Sequence, residues 1–155
     1  LVRQELDSMV RVIFLIDAEP DQRATLIDQS LAGGHWTRTT AKGKEVKITD
    51  RDLIEHALKH HPWTKQVYQF GCNFIHLSPW HGHRKMDPTT LLEPADRAEM
   101  ASLIRAEGFL EIQKVTFDTP VHHAPYSIEK VGSNLKSYLC TLETLLGIDD
   151  PNEPT

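Results

Sequence analysis

The segment Arg51-Asp52-Leu53-Ile54-Glu55-His56 carries the first chemical signal in this chain. It sets an arginine and a histidine five positions apart at the start of an expected helix. At that spacing the two can converge on a phosphate near the helix N-terminus. Histidine moves a proton near neutral pH, and arginine holds a phosphate and its developing charge. Those are the two tasks of metal-independent RNA cleavage by the 2′-hydroxyl. The competing reading is a solvated helix face, with Arg51 near a cap and His56 half-buried.

The same helix offers a second chemistry. His56 and His60 have the i, i+4 spacing of a helical metal-ligand pair. The residues between them, Ala57-Leu58-Lys59, lack the glutamate that serves as base in a zinc protease. A polar helix end built from Lys59, His60 and His61 explains the pattern equally well, because positive charge suits a helix C-terminus. The densest segment follows, from Tyr68 through His76 to His83. His76 sits in an apolar run and reads as a core histidine hydrogen-bonded to a neighbouring helix, and it is a third candidate catalytic residue beside Arg51 and His56. His81 and His83 flank Gly82, which would let both imidazoles reach one ion. The set His76, His81 and His83 is therefore the alternative metal site, although the leading reading needs neither metal nor cofactor. His122-His123 offers further nitrogen ligands that no spacing places.

These residues need elements to hold them. Leu1 to Asp17 has a helical apolar face, and Ala18-Glu19-Pro20 ends it. Pro20 then opens a second helix that stops at Gly33-Gly34. Residues 34–49 have no helical period and hold Arg38, Lys42, Lys44 and Lys47 against one acid, Glu45. They read as a small basic β-hairpin at 36–49 turning at Gly43, or as a mobile loop, and as the candidate nucleic-acid-binding surface. Thr49 or Asp50 caps a helix running to about His61, and Pro62 separates it from a helix carrying Trp63 to Leu77. Residues 79–93 read as a polar loop. Pro94 opens a helix to about Glu107, and residues 109–125 are irregular with a β-like stretch at 112–117. The last helix runs from Tyr126 to about Leu146, with Ile128, Val131, Leu135, Tyr138, Leu139, Leu142 and Leu145 as its buried stripe and Gly147 as its cap.

Composition bounds the class. At 155 residues the chain is long enough to bury roughly 70% of its unfolded surface. Hydrophobic residues make up 39% and charged residues 25%, which excludes a wholly disordered chain. Two cysteines, Cys72 and Cys140, both among apolar neighbours, read as buried thiols in a cytoplasmic protein. The net charge of −5 excludes a global positive field, so any RNA contact must be local. No apolar run is long enough to span a bilayer. The chain starts at Leu1 without a basic leader, apolar run and cleavage site, and reads as a processed start. The expected organisation is one helical domain over 1–147 and an acidic tail over 148–155.

Tyr68-Gln69-Phe70-Gly71-Cys72-Asn73-Phe74-Ile75-His76-Leu77-Ser78 resembles a recurrent helix of all-helical prokaryotic proteins grouped with the HEPN (higher eukaryote and prokaryote nucleotide-binding) fold. Leu1-Val2-Arg3-Gln4-Glu5 and Pro20-Asp21-Gln22-Arg23 also look like the first helix pair of that group. The resemblance implies an all-α, antiparallel helical bundle, commonly dimeric. It also implies kinship with ribonuclease toxins and phage-defence effectors that use an Arg-polar-x-x-x-His motif, which Arg51-Asp52 through His56 matches. The expectation is thus a prokaryotic RNA-directed effector or toxin-like endoribonuclease, with RNA, a second copy or a cognate antitoxin-like protein as partner. The alternatives are a non-catalytic interaction protein and a histidine-rich metal-binding protein.

Overall fold

The computed structural model describes residues 2–75, 82–106 and 114–148. Its centre is α1, Val2–Asp17. Leu6, Met9, Val10 and Ile13 follow the i, i+3, i+4, i+7 pattern and are all but completely buried. Val12 and Leu15 are buried as well, so apolar contact extends around much of the helix. The neighbours are α2 (Pro20–Leu31), α3 (Asp50–Ala57), α4 (Thr64–Ile75) and α6 (Asp118–Leu145), with α6 packed most extensively. A further helix, α5, spans Pro94–Ala106. The fold is mostly helical, as the periodicity implies.

Local chemistry sets the boundaries. Pro20 opens α2, where a missing N–H costs nothing. Gly33 closes it in the left-handed region at φ 69°, which lets the Gly34 N–H reach the Gln29 carbonyl at 2.8 Å. The expected hairpin is present as β1 (Thr37–Thr39) and β2 (Glu45–Lys47), antiparallel with Arg38 opposite Val46. Trp36 and Ile48, just outside the strands, bury the hairpin's base in the core. Thr49 caps α3 through a capping box: its hydroxyl accepts from the Asp52 N–H, and its own N–H donates to the Asp52 carboxylate.

Four expectations need correction. First, α3 stops at Ala57, short of His61. Residues 58–60 tighten into turns, with Lys59 N–H on the His56 carbonyl and His60 N–H on the Ala57 carbonyl. Pro62 contributes by lacking the N–H that would bond the Leu58 carbonyl, with which its ring would also clash in a continuing helix. Second, residues 114–117 hold no strand, and α6 begins at Asp118, eight residues before Tyr126. Pro120 falls in the first turn, where its missing N–H is harmless, and Pro125 inside the helix costs one hydrogen bond without ending it. Third, the buried seam of α6 runs through Val131, Leu135, Tyr138 and Leu142, whereas Leu139 and Leu145 are 40% and 47% exposed. Leu139 lies one position off that seam. Fourth, Cys140 is exposed and Cys72 only half-buried. Gly147 does cap α6, at φ 67° with Ile148 N–H on the Glu143 carbonyl. Among the described residues no helix is long and apolar enough to cross a membrane.

Candidate metal centre

His56 stands on the last turn of α3 and His60 on the tightened turn that follows. The i, i+4 offset keeps both imidazoles on the side that faces α1. There each meets the last residue of α1. The Nε2 of His56 and the Nε2 of His60 lie 2.7 Å from the same carboxylate oxygen, Oδ2 of Asp17. An ionised carboxylate carries no hydrogen, so both imidazole N–H groups donate to it. All three donor atoms lie within 4.8 Å of one another. The Phe14 and His56 rings meet edge to face, with 5.0 Å between centroids, which packs the imidazole from the core side. The outer side is open: the side chains of His56, Asp17 and His60 keep 21%, 30% and 36% of their exposure.

Burial raises the pKa of the Asp17 carboxyl, but the hydrogen bonds from His60 and His56 and their charge outweigh it. The net shift is downward, so Asp17 is ionised throughout the neutral range. A helix C-terminus is an unfavourable place for a carboxylate, because the dipole there is negative. The structure compensates with Arg23. Its buried guanidinium donates from Nε to the Leu15 carbonyl at 2.8 Å and from Nη2 to the carbonyls of Ile16 and Ala18 at 3.1 and 2.9 Å. Those carbonyls bracket Asp17.

A second pair borders the centre. Nε2 of His61 lies 2.9 Å from the Tyr138 hydroxyl, which α6 brings across to α1 and α3. Burial raises the Tyr138 pKa, and the Asp17 charge raises it further. Burial lowers the pKa of His61, and the nearby charges of His60 and Lys130 lower it further. The Lys130 ammonium lies 5.3 Å from the centre of the Trp63 ring.

No family model, curated protein or solved structure matches the chain.

The other sequence candidates are placed as follows. Arg51 is almost fully exposed, and its Nε donates to Glu55 at 2.8 Å, one turn along the same helix. Five residues of α-helix turn Arg51 and His56 about 140° apart, so His56 faces α1 while Arg51 faces outward. Arg38 of the hairpin bonds Asp52 at 3.1 Å, which ties the hairpin to α3. Lys42, Lys44 and Lys47 are exposed. His83 stacks on Phe117, with 4.5 Å between centroids. His76 and His81, candidates for catalysis and for the alternative metal set, lie outside the described residues.

Spacing finds His56 and His60 but not Asp17, which is 39 and 43 positions away from them. The available signal is the acid at the end of α1, set against the helix dipole just after an apolar run. His61 and Tyr138 leave no comparable trace.

Proposed function

We propose that the chain is a metal-binding protein whose ion is held by Asp17, His56 and His60. One observation carries this reading: two imidazole nitrogens from successive turns converge on a single carboxylate oxygen from another helix. Two histidines and one carboxylate suit a divalent first-row transition metal, such as zinc, cobalt or iron(II). Ligand bonds of about 2.0–2.2 Å need donors about 3–3.5 Å apart, so loading opens the hydrogen-bonded triad by less than about 1 Å. Three protein donors leave at least one position free, which is the pattern of a catalytic ion rather than a closed structural one. Such an ion polarises a bound oxygen or activates a water molecule. The partial exposure of the triad gives solvent and small molecules access.

The metal-independent ribonuclease reading draws less support. Its two active groups point away from one another, the arginine pairs with Glu55, and the histidine is engaged by Asp17.

The test strips the purified protein with chelator and titrates it with zinc and with cobalt by calorimetry. One ion per chain is expected. Asp17→Ala, His56→Ala and His60→Ala should each weaken binding at least about tenfold, equivalent to about 1.4 kcal/mol. No uptake by the wild type, or equal uptake by all four proteins, overturns the proposal.

A further inference from the structure

We infer that the hairpin β1–β2 is an interaction arm that binds the phosphate backbone of double-stranded DNA, without regard to sequence, through Lys42, Lys44 and Lys47. The inference does not depend on the metal reading.

Charge gives the first argument. Residues 37–47 hold four cations against one acid, in a chain whose net charge is −5. The structure divides the four. Arg38 is spent on Asp52 at 3.1 Å, where it fastens the arm to α3. Lys42, Lys44 and Lys47 are exposed, and among the described residues none of them has an ion-pair partner. The one acid is engaged within the hairpin: the Glu45 carboxylate accepts the Thr37 hydroxyl at 2.5 Å. Three ammonium groups therefore keep a local positive field on a negative protein, and such a field draws a polyanion to this place.

Preorganisation gives the second. Trp36 and Ile48 root the arm in the core, and the Ile48 N–H donates to the Trp36 carbonyl at 2.8 Å. Gln29 of α2 holds the first strand. Its side-chain oxygen accepts the Thr37 N–H at 3.0 Å, and its amide donates to the Thr37 hydroxyl at 2.9 Å. At the tip, the Thr40 N–H bonds the Lys44 carbonyl and the Gly43 N–H bonds the Thr40 carbonyl, both at 2.8 Å. The lysines stand on a fixed backbone, so binding requires little ordering of the chain.

Shape selects among polyanions. Lys44 and Lys47 are three strand positions apart, about 10 Å, which is the rise of about three base pairs. The major groove of B-form DNA, about 12 Å wide, admits a two-stranded β-ribbon. That of an RNA duplex is too deep and narrow for side chains to read. Single strands are held by stacking on aromatic rings, and the arm's one aromatic residue, Trp36, is buried. A lipid surface is bound by larger clusters of cations or by an inserted apolar side chain. The tip residues Thr39, Thr40, Ala41 and Gly43 offer no such side chain.

The experiment adds full-length protein to a fluorescently labelled DNA duplex at about 50 mM salt and follows anisotropy. Saturable binding is expected, equal for two unrelated sequences. It should weaken about fortyfold as salt rises to about 200 mM, since three neutralised phosphates give a log–log slope of about −2.7. The triple variant Lys42→Gln, Lys44→Gln, Lys47→Gln should keep the circular dichroism spectrum and lose at least about tenfold in affinity. The double variant Lys85→Gln, Lys136→Gln removes exposed cations elsewhere on the chain and should bind as wild type does. Single-stranded RNA, duplex RNA and vesicles containing an anionic lipid should all bind more weakly than the DNA. Four results overturn the inference: no binding by the wild type at about 50 mM salt, undiminished binding by the triple variant, an equal loss in the double variant, or RNA or vesicles bound as tightly as the DNA.

Discussion

Arg23 follows Asp17 by six positions and holds the backbone on both sides of it. The guanidinium is buried, with 8% of its residue surface exposed, and takes the carbonyls of Leu15, Ile16 and Ala18. The last carbonyls of a helix have no partner within it. Here one side chain from the next helix supplies three donors, so the end of α1 is fixed rather than frayed. The positive charge also lies beside the negative end of the α1 dipole, where it is favourable. A carboxylate standing at that end is therefore held in one place for His56 and His60 to meet.

Removing this clamp should unsettle both the fold and the site. Arg23→Met preserves most of the aliphatic packing but takes a donor from three carbonyls, of which Leu15 keeps only a 3.3 Å bond from the Ala18 N–H. A cost of about 2–4 kcal/mol in urea unfolding is expected, since each lost buried bond costs about 1–3 kcal/mol and water recovers part of it. Metal affinity should fall as well, under conditions where the variant is still folded by circular dichroism. Unchanged stability would show that water replaces the guanidinium at the helix end.

The α6 seam makes a paired prediction. Leu142→Ala removes a buried side chain and should cost about 2–5 kcal/mol. Leu139→Ala, three residues earlier but 40% exposed, should cost less than about 1 kcal/mol. Chemical unfolding of the two variants in parallel measures the contrast. Equal losses would mean that Leu139 is covered in solution by a partner.

Local signals in the sequence account for most of the fold. Apolar period gives α1, α5 and the body of α6, and Gly33, Thr49 and Gly147 mark ends that local hydrogen bonds fix. What escapes is tertiary. Leu139 and Leu142 share one apolar stripe, and only the packing of α6 on α1 decides which is buried. Pro125 is a helix breaker by propensity, yet α6 passes through it because the packed seam offsets one lost hydrogen bond. The site divides in the same way. His56 and His60 are legible because their relation is local. Asp17 joins them from another helix, and Tyr138 meets His61 from α6, through contacts that local spacing does not encode.

The two chemistries considered for His56 differ in their response to chelator. Wild-type protein that cleaves mixed RNA in the presence of chelator, and loses that activity in Arg51→Ala and His56→Ala, would favour the phosphate-and-proton mechanism. The geometry at Asp17 leads to the opposite expectation: no chelator-resistant cleavage, and no effect of Arg51→Ala on metal affinity. Gel analysis of RNA alongside metal titration of the same preparations decides between them.

Acid stability should depend in part on Asp87. Its Oδ1 accepts from the Thr89 N–H at 2.9 Å, the Thr89 hydroxyl at 2.7 Å and the Phe117 N–H at 3.1 Å. One carboxylate oxygen thereby joins the 3₁₀ turn Pro88–Leu91 to the residue that precedes α6. Burial raises its pKa, but the Thr89 and Phe117 bonds, aided by the charge of Lys114, outweigh burial and bring it below the ordinary carboxylate value. A depressed folded-state pKa means that the unfolded chain binds the proton more readily. Stability from this group is therefore complete above the unfolded value of about 3.9 and is lost as pH falls through the folded value. Asp87→Asn keeps an acceptor oxygen but has no charge to titrate. It should be less stable than wild type at neutral pH, by about 0.5–2 kcal/mol, and the difference should shrink as pH drops from about 5 to 2. Urea unfolding of both proteins across that range measures it. A difference that stays constant with pH would show that the ionised form of Asp87 is not what holds the turn to α6.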